Sequence, residues 1–344
     1  MFTEGKKPAS KLAAIAATIA IWVIAAGPAR AAEAQAKPAC GTSITACGCT
    51  INSGGNYTVA NNLDATQGLT NKGDCIDISA PFAQLNVRSF SIIGNRTGVG
   101  INVLSTAHHT IIEGAAQGSS ENGQGVINGW NIGVLVAANN TIVELFNPIG
   151  GTEASPQGNV AAGIEVDNVT DCTIDDIISS YNGTSGVSVN NSSRIRIFNL
   201  TASNNGGSGI LMQSSSTNTL SNMTAGSNGQ YGLLLLHSDQ NQIFTLGVAD
   251  NGAAGISIGC EAGGPVACTG NQPSSKNKVS NLGARTNGRA GIVVNNKSSN
   301  NQITVITATG NKGNADLVDG NPNCDKNQWF NNSFGSASPS SCIQ

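Results

Sequence analysis

Short runs of aliphatic residues alternate with polar ones along most of the chain, and each run stops at Gly, Asn or Ser. From Gly163 onward the runs keep a fixed spacing. Gly163, Gly186, Gly209, Gly232 and Gly255 stand 23 residues apart, and Gly291 follows after 23 plus an insertion of 13. One residue after these glycines come Ile164, Val187, Ile210, Leu233, Ile256 and Ile292; three after come Val166, Val189, Met212, Leu235, Ile258 and Val294. Ile174, Ile197, Leu220 and Ile243 form a third apolar column, joined by Val279 once the insertion is set aside. The alternation has period two, which predicts strands, and no stretch after Ala31 carries the 3.6 spacing of a helical repeat. Each unit therefore reads as short strand, turn, short strand, turn, short strand and Asn-Gly turn.

A unit this short cannot bury its apolar side alone. Stacked coils about 4.8 Å apart can, because parallel pairing places each side chain over its counterpart in the coil below. Asn159, Asn182, Asn205, Asn228, Asn251 and Asn287 then form one column, four residues before each glycine. A buried amide there satisfies its donor and acceptor on its neighbours in the stack. Asn and Gly also tolerate a left-handed corner. A second polar column runs through Asp176, Asn199, Asn222, Thr245 and Asn281. The fold class predicted is all-β: a single-stranded parallel β-helix of roughly nine to ten coils, with three short strands per coil.

The segments Gly186-Val187-Ser188-Val189, Ile197-Phe198-Asn199-Leu200-Thr201-Ala202 and Asn204-Asn205-Gly206 resemble the right-handed parallel β-helix proteins of the pectin-lyase-like superfold. The resemblance covers residues 75–315. It implies right-handed winding, in line with the crossover rule, and an extracellular or envelope polysaccharide as partner. That scaffold hosts lyases, hydrolases, epimerases, adhesins and proteins without activity, so fold alone names no reaction.

The ends differ from the repeat. Residues 1–31 read as an export signal: Lys6, Lys7 and Lys11, an apolar run over 12–26, then Ala29-Arg30-Ala31. That run is shorter than the ~20 residues needed to span a bilayer. The expected localisation is secreted or periplasmic, which permits disulfides among the nine cysteines. An odd count leaves one thiol over, and Cys172, inside the repeat, is the choice. Residues 32–74, Cys-rich and with one clear strand over 57–63, are expected to cap the first coil. Residues 316–344 are expected to close the last one through Cys324 and Cys342, with Trp329 laid on the core or offered to a sugar. Insertions at 117–130, 148–156 and 260–273 are expected to form loops, the last closed by a Cys260–Cys268 bridge.

Composition narrows the function. The chain holds 43 Gly and 42 Asn in 344 residues, with 11% charged and 4% aromatic side chains. Formal net charge is −3, and loss of residues 1–31 leaves 13 basic and 19 acidic side chains, a net of −6. This disfavours nucleic acid and other polyanions unless a metal intervenes.

Candidate chemistry concentrates on one coil. The outward positions of the first strand carry Glu165 and Asp167, and the same coil adds Asp171, Asp175 and Asp176. Arg194 falls in register with Asp171. One reading makes Glu165 and Asp167 an acid/base pair or a Ca²⁺ site, with Arg194 on a uronate carboxylate and Asn190, Gln213 and Asp171 binding substrate. Ca²⁺ is the one cofactor this reading admits. The other reading is a solvated acidic patch with an Asp171–Arg194 pair worth little. Leu211, Leu234 and Leu236 would make an outward apolar stripe, serving as a contact surface or covered by a loop. His108-His109 and His237 read as exposed. The Asp-His, Gly-His-Gly and Asp-Pro-His motifs of lyase-, hydrolase- and epimerase-like β-helices are absent, while Asp175-Asp176 and Arg194-Ile195-Arg196 echo the hydrolase pattern in part. The function predicted is polysaccharide binding, with lyase, epimerase or hydrolase activity as its enzymatic form; the alternative is a non-catalytic surface scaffold or adhesion protein.

Overall fold

In the computed structural model the chain divides into Met1–Gln35 and Ala36–Gln344. The structure describes residues 37–67, 73–115, 125–261, 263–266, 272–295 and 297–343, so the expected export signal lies outside the described residues. The strands described pair in parallel into a narrow sheet of 12 and a broad sheet of 16. Helical structure among the described residues is limited to two 3-10 turns, Ala65–Gln67 and Cys324–Lys326. The protein is an all-β parallel β-helix.

The apolar columns fall on themselves. In the narrow sheet Ile164 pairs with Val187, Val187 with Ile210, Ile210 with Leu233 and Leu233 with Ile256. Ile256 then pairs with Ile292 across the 13-residue insertion. All of these side chains are fully buried. Each contributes about 1.5–3 kcal/mol by leaving water, and aliphatic neighbours of similar size above and below let the interior close-pack along the stack.

The second and third strands of each coil run on as one bent strand of the broad sheet, as in Thr173–Ser180, Gln242–Ala249 and Lys278–Arg285. The bend is the second polar column: Asp176, Asn199, Asn222, Thr245 and Asn281 all have φ between 52° and 56°. A left-handed residue turns two successive side chains outward, so Phe198 and Asn199 both face away while Ile197 and Leu200 stay buried. Asn and Asp populate this region at low steric cost, which accounts for their use here.

Two buried amide ladders hold the corners. In the first, Asn182 Nδ2 donates to Asn205 Oδ1 at 3.1 Å, Asn205 to Asn228 at 3.1 Å and Asn228 to Asn251 at 3.0 Å. It starts at Asn159, continues through Asn287 and Asn311, and ends on the carboxylate of Asp316. The second runs Asn218, Asn241, Asn277, Asn301 and Asn327, and ends on Asp319. Beside it Ser192, Ser215, Ser238, Ser274 and Ser298 accept from the backbone of the preceding coil. Every amide donates a hydrogen bond toward the C-terminus, so the last one needs an acceptor, and an aspartate carboxyl oxygen supplies it.

The repeat glycines serve close approach rather than a left-handed corner. A Cβ on Gly209 would lie 2.7 Å from Ala202 O and 2.8 Å from the ladder amide of Asn228. The left-handed corner residues stand just before each ladder amide instead, at Tyr181, Asn204, Ser227 and Asp250.

Both sheets reach into the segments expected to be caps. Cys49–Ile51 pairs with Ile76–Ile78, and Gly55–Val59 with Ala83–Arg88. The strand expected over 57–63 is two, Gly55–Val59 and Leu63–Asp64. At the other end Leu317–Asp319 and Gln328–Phe330 extend the two sheets. Irregular turns in these coils hide their period from a fixed spacing. Disulfides join Cys40–Cys49, Cys47–Cys75 and Cys324–Cys342. Cys172 is a free, buried thiol, and burial pushes it up to about 11. Cys260 is disulfide-bonded, while Cys268 lies outside the described residues, as do 117–124 of the first insertion.

Candidate functional site

The outer face of the narrow sheet carries Glu165 and Asp167 on the strand Ala162–Asp167. Alternation points both away from the core, beside Ile164 and Val166 pointing inward. Glu165 lies between Leu135 and Ser188, and Asp167 beside Asn190, which pairs with Gln213. Glu165 is half-buried and accepts from Asn190 Nδ2 at 3.4 Å. Burial first, and the charge of Asp167 second, push its carboxyl above the ordinary range. Positions two apart on a strand stand about 7 Å apart.

Arg194 stands elsewhere. It lies at the turn after the strand, where Nε and Nη2 donate to the two carboxylate oxygens of Asp171 at 2.7 and 2.8 Å. Both side chains are exposed, and the hydrogen bond from Arg194 holds Asp171 below its usual value. Arg194 is not among the groups that act on Glu165. The geometry thus brings together Glu165, Asp167 and Asn190 on one face and Asp171 with Arg194 on another, with exposed Gln213 one coil on. Among the described residues no group of three or more His, Cys, Asp or Glu converges to hold a metal ion.

The apolar stripe is closed. Leu234 and Leu236 are 1% and 4% exposed and pack with Tyr231, Ala253, Ala254 and Val293, joined by Cys260 and Val266. The segment after Gly259 folds back over the face. Tyr231 Oη donates to Glu261 at 3.0 Å, and Arg289 Nη1 donates to the same carboxylate at 2.7 Å. Trp329 is closed too: it is 4% exposed, and its Nε1 donates to Asp319 at 3.0 Å. No ring face of Trp329 is free for a sugar. His108 and His109 are exposed and group with Phe82, whose ring stacks on His109 at 5.1 Å.

The broad sheet presents a second outer face that the column reading passed over. Its register stacks Asn86, Glu113, Glu144 and Asp175, then Phe198, Ser221 and Phe244. Ser280, Thr304 and Phe330 complete the column. Glu113 accepts from Asn86 at 3.2 Å and Asp175 from Asn199 at 2.9 Å. Burial, then the charges of Glu113 and Asp175, push Glu144 upward. Phe244 and Phe330 are 36% and 39% exposed, and the Arg196 guanidinium lies 5.7 Å from the centre of the half-buried Phe198 ring. The signal was present in the spacing: Asp175, Phe198, Ser221, Phe244 and Ser280 all fall twelve residues after a repeat glycine once the insertion is removed.

Among solved structures the chain is similar to the A-module of the mannuronan C-5 epimerase AlgE6 of Azotobacter vinelandii. The TM-score is 0.51 at 15% identity, covering 88% of this chain and 80% of that one. It is also similar to the Dettilon tailspike protein gp208, with TM-score 0.48 and 13% identity over 84% of this chain and 53% of that one. A third is the periplasmic alginate epimerase AlgG, with TM-score 0.43 and 10% identity over 77% and 79% of the two chains. The chain thus spans about half the length of the tailspike chain. At these identities the likeness is one of fold. No curated protein sequence matches the chain. The family described as right handed beta helix region matches residues 157–335, more than half of the sequence. With parallel strands stacked in register over that span, the chain belongs to the right-handed β-helix family.

Proposed function

We propose that the protein is exported and binds an extracellular or cell-envelope polysaccharide along a long outer face. The observation that carries this reading is the register. Outward side chains repeat at every coil, so one surface offers evenly spaced contacts along the stack axis, as a polymer of repeating units requires. The same fold carries a mannuronan C-5 epimerase module, a precedent for a polysaccharide on this scaffold. Among the described residues no helix is long and apolar enough to cross a membrane, and the disulfides are compatible with export. A ligand that binds only the folded chain raises its melting temperature. Thermal melts against a panel of soluble polysaccharides should show a concentration-dependent rise with at least one. A flat response across neutral, acidic and amino-sugar polymers would contradict the reading.

Modification of the polymer is a second reading, and it rests on Glu165. A carboxyl raised by burial and by a second carboxylate beside it is the pattern of an acid/base pair. In this reading Glu165→Gln and Asp167→Asn abolish product formation without lowering the melting temperature. Arg194 is paired with Asp171 at the turn, away from Glu165.

A further inference from the structure

The geometry points to the outer column of the broad sheet, from Phe198 to Phe330, as the docking track for an uncharged, extended polysaccharide lying along the stack axis. The inference rests on the polysaccharide reading above and adds to it a face and a charge class.

Three aromatic rings stand in one register column. Phe198 and Phe244 are two coils apart, and Phe244 and Phe330 three. With coils about 4.8 Å apart, the spacings are about 10 and 14 Å. Both are whole numbers of coil rises, and one rise is close to the length of one sugar residue in an extended chain. Each ring thus falls opposite one sugar residue of the polymer. Two of the rings are more than a third exposed, on a face where burying aromatic area gives no structural return. An aromatic ring is apolar and flat, and it stacks on the C–H face of a pyranose while flanking polar groups take the hydroxyls. Such groups are present. Ser221, Ser280 and Thr304 fill the coils between the rings, and exposed Gln242 and Asn281 stand beside them.

Charge selects the occupant. The aromatic column contains no ionisable group; in the flanking column Arg196 lies against the Phe198 ring, and Lys278 is exposed two residues before Ser280. Continued toward the N-terminus, the same column becomes Asp175, Glu144 and Glu113 on three successive coils. A polyuronate extending along the axis would set its carboxylates against this row. Burial first, and then the charges of its two neighbours, raise Glu144 within the row. An uncharged chain meets no such barrier. A concavity of about 220 Å³ with Gln84, Asn86 and Glu113 in its wall opens at that end.

The test is binding of a soluble β-1,4-linked gluco-oligosaccharide and of an oligogalacturonate to the full chain, by calorimetry, in wild type, Phe244→Ala and Phe330→Ala. The expected result is binding of the neutral oligomer, with each substitution weakening it about tenfold at an unchanged melting temperature. The oligogalacturonate should bind more weakly, and Glu144→Gln should narrow that gap. Neutral binding untouched by both phenylalanine substitutions would overturn the track while leaving polysaccharide binding in place. Preference for the oligogalacturonate would overturn the charge assignment. Absence of binding by either oligomer and by every polymer of the thermal panel would overturn both readings.

Discussion

The two outer faces are built by one rule and used differently. On the narrow sheet the outward column turns apolar at Leu211, Leu234 and Leu236, and the inserted segment after Gly259 folds back onto it, clamped by Tyr231, Glu261 and Arg289. On the broad sheet the outward column carries carboxylates, hydroxyls and phenylalanines, and Phe244 and Phe330 stay exposed. Both faces ride on the same interior, so the difference lies in the outward residues and in where the extra chain was inserted. In a β-helix an outward apolar row becomes a second core when an insertion lies next to it. An outward row of mixed aromatic and polar residues left open is the surface to examine for a ligand.

The comparison breaks altogether if the shared interior is lost. Asn228 donates from Nδ2 to Asn251 and Ala202 and accepts from the backbone and side chain of Asn205. Asn228→Ala leaves several buried groups unsatisfied and should cost about 3–5 kcal/mol in denaturant unfolding. A loss below about 1 kcal/mol would mean that the ladder is ornamental.

A matched pair of substitutions sharpens the contrast. Both Leu234 and Phe244 point away from the main core, yet Leu234 is 1% exposed and Phe244 36%. Leu234→Ala should cost about 2–4 kcal/mol, as a core truncation does, whereas Phe244→Ala should stay within about 0.5 kcal/mol. Equal costs would erase the distinction between a covered and an open face.

The smallest effect tests the acidic row. In the folded chain Glu144 takes up its proton at higher pH than in the unfolded chain, because burial and two neighbouring carboxylates disfavour its charge. The folded state then binds more protons across the window between the ordinary carboxylate value and the raised one, so stability falls as pH rises through it. Glu144→Gln removes this penalty. Its melting temperature should exceed wild type by a small margin at neutral pH, and the two curves should meet below the ordinary carboxylate range. Identical curves at every pH would place Glu144 in open solvent.

Much of this architecture was legible because it repeats. Period-two alternation and the 23-residue spacing located the strands, and the phase held across the insertion because Ile256 and Ile292 must occupy the same core position. The bend at Asp176 and Asn199 showed as a polar column, but its left-handed geometry did not. The second ladder, Asn218 to Asn327, recurs as plainly as the first, but the two coils before it carry Cys172 and Ile195 in place of Asn. The Asp171–Arg194 pair was legible from the repeat spacing, but other side-chain commitments were not. That Glu261 bridges Tyr231 and Arg289, and that Trp329 Nε1 donates to Asp319, depend on where turns and insertions place groups distant in sequence. The end coils were hidden for a related reason, since irregular turns interrupt the period although the pairing continues.

Side-chain exposure along the two outer columns tests the account most directly, and hydroxyl-radical footprinting of the native chain reads it residue by residue. Phe82, Phe244 and Phe330 should be oxidised readily, while Tyr231, Leu234, Leu236 and Trp329 stay protected until the chain unfolds. Oxidation of Leu234 and Tyr231 at the rate of Phe244 would show that the narrow face is open, and would contradict the division between a closed face and a docking face.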